Sequence, residues 1–251
     1  MNFDISHLLD HWDYQPGQVV VREFAGKDGV KKLQLRLDLG LLQMNAEGRP
    51  DGKRPNGHPS LLDYFITKQK QVGGKGENGE FALKPEDCAR LQLEALQYHH
   101  RCVCFLQLED YASVIRDTGR NLKLFDFAAA HTDTEELAWS LEQFRPQTLM
   151  MHARAKAMQS LAANKFDAAI AEIEEAVSGL RDFYRSHSRP ELIEQSGEIQ
   201  TLEHWLNEVK SKRPLSQREK LEIDLREAVK REDYEEAARV RDALKNLGQA
   251  D

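Results

Sequence analysis

Apolar residues follow two rhythms along this chain, and the change from one to the other divides it. Between residues 18 and 45 the rhythm is two. Val19, Val20 and Val21 favour extended backbone, and Gly26-Lys27-Asp28-Gly29 is a turn signal. Leu33, Leu35, Leu37 and Leu39 then alternate with Lys32, Gln34, Arg36 and Asp38, which predicts a strand with one dry and one wet face. Leu41, Leu42 and Met44 are read as an extension of that strand past Gly40. Residues 46–59 are rich in Gly and Pro and read as a loop. Ser60 is placed to cap a short helix, Leu61 to Lys70. The Gly-rich polar stretch 71–80 reads as a flexible linker and a domain boundary.

From Lys84 to about His187 the rhythm becomes three and four, so this stretch reads as helical. Pro85 suits a first helical turn, and Gly119 and Pro146 are the expected interruptions. A local theme of polar, aromatic, then small and aliphatic residues occurs twice, at Glu109-Asp110-Tyr111-Ala112 and at Lys165–Ile170. The second lies in a run with Ala157, Ala169, Ile173 and Ala176 that resembles half of a tetratricopeptide (TPR) hairpin. The two sites are not 34 residues apart, so TPR-like helical pairs are expected rather than a regular array. Residues 190–209 predict another helix, followed by the basic break Lys210-Ser211-Lys212-Arg213-Pro214. Beyond it, Leu221, Leu225, Ala228 and Val229, then Tyr234, Ala237, Ala238, Arg241, Leu244 and Leu247, fall at helical spacing. Asp233 sits at an N-cap position with Glu236 three residues later, so two short helices fold back on each other. A pair this small buries too little to be very stable alone, and is expected to pack on something.

The residues Leu221, Leu225, Ala228, Asp233, Tyr234, Glu235, Ala237, Ala238, Arg241, Asp242, Leu244 and Leu247 carry a resemblance to the UVR motif of bacterial excision-repair proteins and of a Clp-type unfoldase and its adaptor. Where that family often has Phe-Glu after the turn, this chain has Tyr234-Glu235. The resemblance implies a helical hairpin that pairs with another helical hairpin. It does not imply helicase or nuclease activity.

Together these elements predict an α+β protein in parts: a β-rich domain with a short helix at 1–70, a linker at 71–80, a TPR-like helical domain at 81–209, and the UVR-like hairpin at 215–248. The net charge is -7 over 251 residues, which argues against a broad nucleic-acid platform. The acidity is concentrated in residues 81–200, with 13 basic and 19 acidic side chains. Any nucleic-acid contact would therefore use an end of the chain. Three cysteines, no basic and apolar leader, and no long apolar run suggest a cytoplasmic protein without a membrane span.

Candidate chemistry is sparse. His99, His100, Cys102 and Cys104 cluster, but the paired spacing of a zinc site is missing, and buried core is the better reading. His7 and His11 are four apart, with no third ligand and no glutamate beside the first. The loop Gly48–His58 offers Arg49, Lys53 and Arg54 as possible anion contacts. Motifs for serine hydrolysis, dinucleotide binding or phosphate cradling are absent. No catalytic residue, cofactor or metal is expected. In the hairpin, Tyr234, Glu235 and Val240 are expected to meet the partner. Leu221, Leu225, Ala238 and Leu244 are expected to hold the helices together, and Arg241 with Asp242 to fix the geometry. The leading expectation is a non-enzymatic adaptor of bacterial type, docking a partner's helical hairpin in excision repair or Clp-type proteolysis control. The alternative is a DNA-repair factor that binds phosphate through the basic loop and the Lys210–Arg213 run.

Overall fold

The computed structural model describes residues 4–73 and 81–247. The chain divides into two compact units, Met1–Leu206 and Asn207–Asp251. The first begins with one helical turn, α1 (Ser6–Leu9), and a three-stranded antiparallel sheet in the order β1 (Val21–Ala25), β2 (Lys31–Leu37) and β3 (Gly40–Asn45). The predicted extension past Gly40 is a separate strand. Leu37 pairs with Gly40, so the chain reverses over Asp38 and Leu39, and Leu39 is 91% exposed at the tip. No Asn-Gly or Asp-Gly pair marks this turn, so local sequence did not announce it.

The period-two face of β2 behaves as expected on one side only. Leu33 and Leu35, with Met44 and Ala46, pack on Cys104, Phe105, Val114 and Ala155 from the helical region. The opposite face is not wet: Gln34 and Arg36 are buried. Gln34 accepts a hydrogen bond from Arg22 Nε (2.6 Å) and donates one to Gln43 (2.7 Å). Arg36 Nε donates to the Trp12 carbonyl (2.7 Å), and its Nη1 donates to the carbonyls of Leu37, Asp38 and Gly40. The Arg22 guanidinium lies 4.1 Å from the centre of the Trp12 ring. The N-terminal segment thus covers that side, and buried polar groups there are paired, as burial requires.

After a single 3₁₀ turn at Pro55–Gly57 comes α2 (Leu61–Gly73), longer than expected. Gln71, Val72 and Gly73 form its end rather than a linker, and the rest of the predicted linker, 74–80, lies outside the described residues. Ser60 caps α2 by accepting from the Asp63 N–H. The helices that follow are α3 (Pro85–Gln107), α4 (Tyr111–Ala130), α5 (Glu135–Glu142), α6 (Arg145–Ala162), α7 (Phe166–Ser186), α8 (Leu192–Gln195) and α9 (Gly197–Lys212). Pro146 opens α6, as a first-turn proline should. Gly119 does not interrupt α4. A Cβ there would lie 3.8 Å from the His152 ring of α6, an ordinary contact, so the position faces α6 without requiring glycine. The helix expected over 190–209 is broken at Ser196, whose hydroxyl accepts from the Ile199 N–H and so starts α9.

The β-rich part and the helices share a core across the expected 71–80 division. A second apolar cluster joins Leu61, Leu62 and Phe65 of α2 to Leu91, Leu124, Phe125 and Leu141. Between the two clusters runs a buried ionic seam. Arg101 and Asp117, each about 1% exposed, make a bidentate pair at 2.6 and 2.9 Å. Arg101 also donates to the carbonyls of Asn45 (2.9 Å) and Gly48 (2.8 Å). Glu94, fully buried, pairs with Arg120 and Arg49, and accepts from the Leu61 and Leu62 N–H groups at the start of α2. One carboxylate therefore ties the 46–60 loop, α2, α3 and α4 together.

Sharp joints connect the helices. Glu109, Asn164 and Ser188 adopt left-handed backbone (φ 58°, 57° and 56°) just past helix ends. In each, the next N–H returns to a carbonyl five residues back: Asp110 to Phe105, Lys165 to Ser160, and Arg189 to Tyr184, all at 2.9 Å. This is the helix-ending pattern with one αL residue. The first two joints coincide with the repeated sequence theme, which marks hairpin turns. In the α6/α7 hairpin, Ala153, Ala155 and Ala157 of α6 and Ala169 and Ile173 of α7 are buried. Side chains this small let two helices come close.

Candidate functional site

The second unit contains the two helices predicted at the C-terminal end, α10 (Gln217–Lys230) and α11 (Tyr234–Leu247). Ser216 caps α10 reciprocally with Glu219: the Ser216 hydroxyl accepts from the Glu219 N–H (3.1 Å), and the Glu219 carboxylate accepts from the Ser216 N–H (2.8 Å). Arg213 adds two contacts to the same carboxylate, at 2.8 and 3.0 Å. These partners, Arg213 first, hold the Glu219 carboxyl far below its usual range, at about 2. At the turn, Glu232 takes a left-handed backbone (φ 60°), and the Asp233 N–H returns to the Ala228 carbonyl (2.9 Å). The Asp233 side chain then accepts from the Glu236 N–H (3.1 Å) and starts α11. The joint repeats those after Glu109 and Asn164, and at all three an aromatic residue opens the next helix.

Burial sorts the hairpin's side chains. Ala228, Ala237 and Val240 are buried, and Leu221, Leu225, Ala238, Leu244 and Leu247 are half-buried. The inward stripe of α11 is therefore Ala237, Val240, Leu244 and Leu247, at spacings of three and four. Val240 was expected at the partner surface and instead belongs to this stripe. Arg241, counted in the stripe from sequence, is turned out by one position of helical phase. Arg241 and Asp242 contact each other at 3.2 Å while both stay largely exposed, so they do not clamp the hairpin. Glu235 is exposed. Tyr234 is 71% exposed, and Val229, which sequence placed only in the apolar stripe, is 52% exposed. These two large apolar side chains stand on either side of the turn.

The remaining candidates scatter. Arg49 is drawn inward, with Nε 3.0 Å from Glu94 and Nη2 3.4 Å from Asp51. Lys53 and Arg54 stay on the surface, and Arg54 donates to the Gly57 carbonyl at 3.3 Å. The expected three-cation anion site is thus not assembled. Cys88, Cys102 and Cys104 are all buried. Burial pushes the Cys88 thiol up to about 11 and the Cys104 thiol up to about 12, and raises Cys102 further. Burial also lowers the pKa of His99 and His100. Among the described residues no group of three His, Cys, Asp or Glu side chains is placed to hold a metal ion. No described helix is long and apolar enough to cross a membrane.

Neither curated proteins nor solved structures gave a match to the chain. Residues 216–250 match the family model described as UvrB/uvrC motif; the last three of them lie outside the described residues. A UVR motif, an interaction module, therefore forms the C-terminal hairpin of this chain.

Proposed function

We propose that this protein is a non-enzymatic adaptor whose UVR hairpin docks a helical hairpin of a protein partner in the cytoplasm of a bacterium, in excision repair or Clp-type proteolysis control. The observation that carries the reading is Tyr234. It opens α11 at a tight joint and is 71% exposed, although tyrosine offers a large apolar surface that binding would bury. At the sister joint in α3/α4, the matching residue Tyr111 packs against the core under the sheet. Val229 extends the exposed apolar surface across the turn. The helical pairs α3/α4 and α6/α7, expected to be TPR-like, would offer a second partner surface.

Phosphate recognition is the less supported reading. Its central cation, Arg49, is held by Glu94 and Asp51, and Arg213 is held by Glu219. The two readings separate by salt, because phosphate contacts weaken steeply with ionic strength and an apolar-centred interface does not. The test is capture from bacterial lysate with the full chain, a chain ending at Lys212 and Tyr234→Ala, at low and high salt. A protein retained at high salt and lost with both changes supports the adaptor. Nucleic acid lost at high salt, with no hairpin-dependent protein, refutes it.

A further inference from the structure

A cavity of about 250 Å³ opens between α3, α4 and the start of α6. Its floor is Phe125 of α4 and Ala95 of α3, both buried, and its rim is Leu96 (47% exposed) and Phe144 (41% exposed). Gln92, His99 and Gln147 also face it, and none of their side chains makes a hydrogen bond within the described residues. Thr148 is different: its hydroxyl already donates to the Phe144 carbonyl (2.9 Å). The walls contain no Asp, Glu, Lys or Arg. The one titratable group, His99, is pushed toward its neutral form by burial.

We propose that this cavity binds a small, uncharged, two-ring aromatic molecule, with the ring system against Phe125 and Phe144 and its polar edge toward His99 and the two glutamines. The size fits. A dry cavity of roughly 150 Å³ takes a benzene ring, and this one has room for a fused second ring. The composition fits too: apolar walls with a few convergent polar groups, set between helices, are the usual make-up of a small-molecule site. Arg145, whose guanidinium lies 5.7 Å from the centre of the Phe125 ring, is already paired with Glu142 and Asp126, so an ionised ligand finds no free counter-charge to offset its desolvation. An aromatic occupant with one polar edge matches the two phenylalanine rings on one side and the His99, Gln92 and Gln147 side chains, which stand at the water-accessible mouth, on the other.

The test uses the full chain, indole as the ligand, and NMR of the histidine rings. Indole should shift the His99 imidazole saturably, with a dissociation constant of about 1 mM or tighter for so small a molecule. Indole-3-acetate has the same rings plus a carboxylate and should bind at least tenfold more weakly. Gln147→Trp fills the mouth from an exposed position, and Leu96→Asp places a charge on the rim. Each should weaken indole at least tenfold while leaving the thermal melt unchanged. The proposal is overturned if indole gives no saturable shift, if both variants bind it as the parent does, or if indole-3-acetate binds equally well. It is equally overturned if a tryptophan-bearing peptide shifts His99 and free indole does not, because the cavity is then a socket for a partner's side chain.

Discussion

Tyr234 and Val240 sit six residues apart on one helix, yet their replacement by alanine should have opposite consequences. Tyr234 keeps 71% of its surface exposed, so under a third of a side chain of about 200 Å² is covered within the chain. At about 25 cal/mol per Å² that covered area is an upper bound of about 1.5 kcal/mol, and the better helix propensity of alanine returns about 0.5 kcal/mol of it, so the hairpin loses about 1 kcal/mol or less. If a partner covers the remainder, roughly 140 Å², then about 3 kcal/mol of binding goes with it, on the order of 100-fold in Kd. Val240 is 7% exposed and lies with Ala237 in the inward stripe of α11. Val240→Ala removes two methyl groups and leaves a gap, for about 2 kcal/mol of stability. That is a large part of what two short helices can hold, so α10 and α11 should fray. The assays are helicity by circular dichroism on the full chain, and affinity for the captured partner by calorimetry. Tyr234→Ala should bind about 100-fold more weakly with nearly parental helicity, whereas Val240→Ala should lose helicity first and binding as a result. Affinity within threefold of the parent for Tyr234→Ala would refute the contact, and an unchanged helical signal for Val240→Ala would refute the stripe.

Asp117→Ala leaves the Arg101 guanidinium buried without its carboxylate, and should cost about 3–5 kcal/mol in urea unfolding of the first unit. Glu232→Gly relieves a left-handed backbone position, and should raise hairpin stability by about 0.5–1 kcal/mol in a thermal melt without weakening partner capture. The Glu219 carboxyl is lowered to about 2 by Arg213 and Ser216, so its stabilisation of α10 is present above its unfolded value near 4.5 and is lost as pH falls through that window to about 2. Acid titration of hairpin helicity should show this, and Glu219→Gln should flatten it. Cys88 and Cys104, raised to about 11 and 12 by burial, should resist a thiol reagent at pH 8 in the folded chain and react fully in urea.

Much of the C-terminal hairpin was legible because its signals are local. A capping aspartate, an aromatic, paired alanines and leucines at helical spacing need no distant partner to be read. The error at Val240 and Arg241 was one of phase: one position separates an inward from an outward side chain, and the alternation of alanines with arginines fits either setting. The fate of Gln34 and Arg36 was not legible, because a polar face looks wet until the N-terminal segment is known to lie on it. Gly119 has the same lesson from the other side. A glycine inside a helical pattern signals a break by itself, yet it costs a helix only about 1 kcal/mol, and α4, buried at Val114, Leu124 and Phe125 on both sides of Gly119, runs through it. Arg49 looked available because neither Glu94, far along the chain, nor its burial can be inferred from the loop's own residues. The shared core of sheet and helices was hidden for that reason too, since it depends on Leu33 and Leu35 meeting Phe105 and Ala155.

The repeated joint at Glu109, Asn164 and Glu232 has a consequence for the order of assembly. Each hairpin brings together residues that are near neighbours in the chain, and such local closure is fast. The cluster that joins Leu33 and Met44 to Cys104, Phe105 and Val114 instead closes loops of about sixty residues or more, which has a larger entropic cost and waits for the α3/α4 pair to exist. The helical pairs should therefore form early and the sheet should settle on them late. Substitutions beneath the sheet should slow refolding, while substitutions in the terminal hairpin should leave that rate untouched.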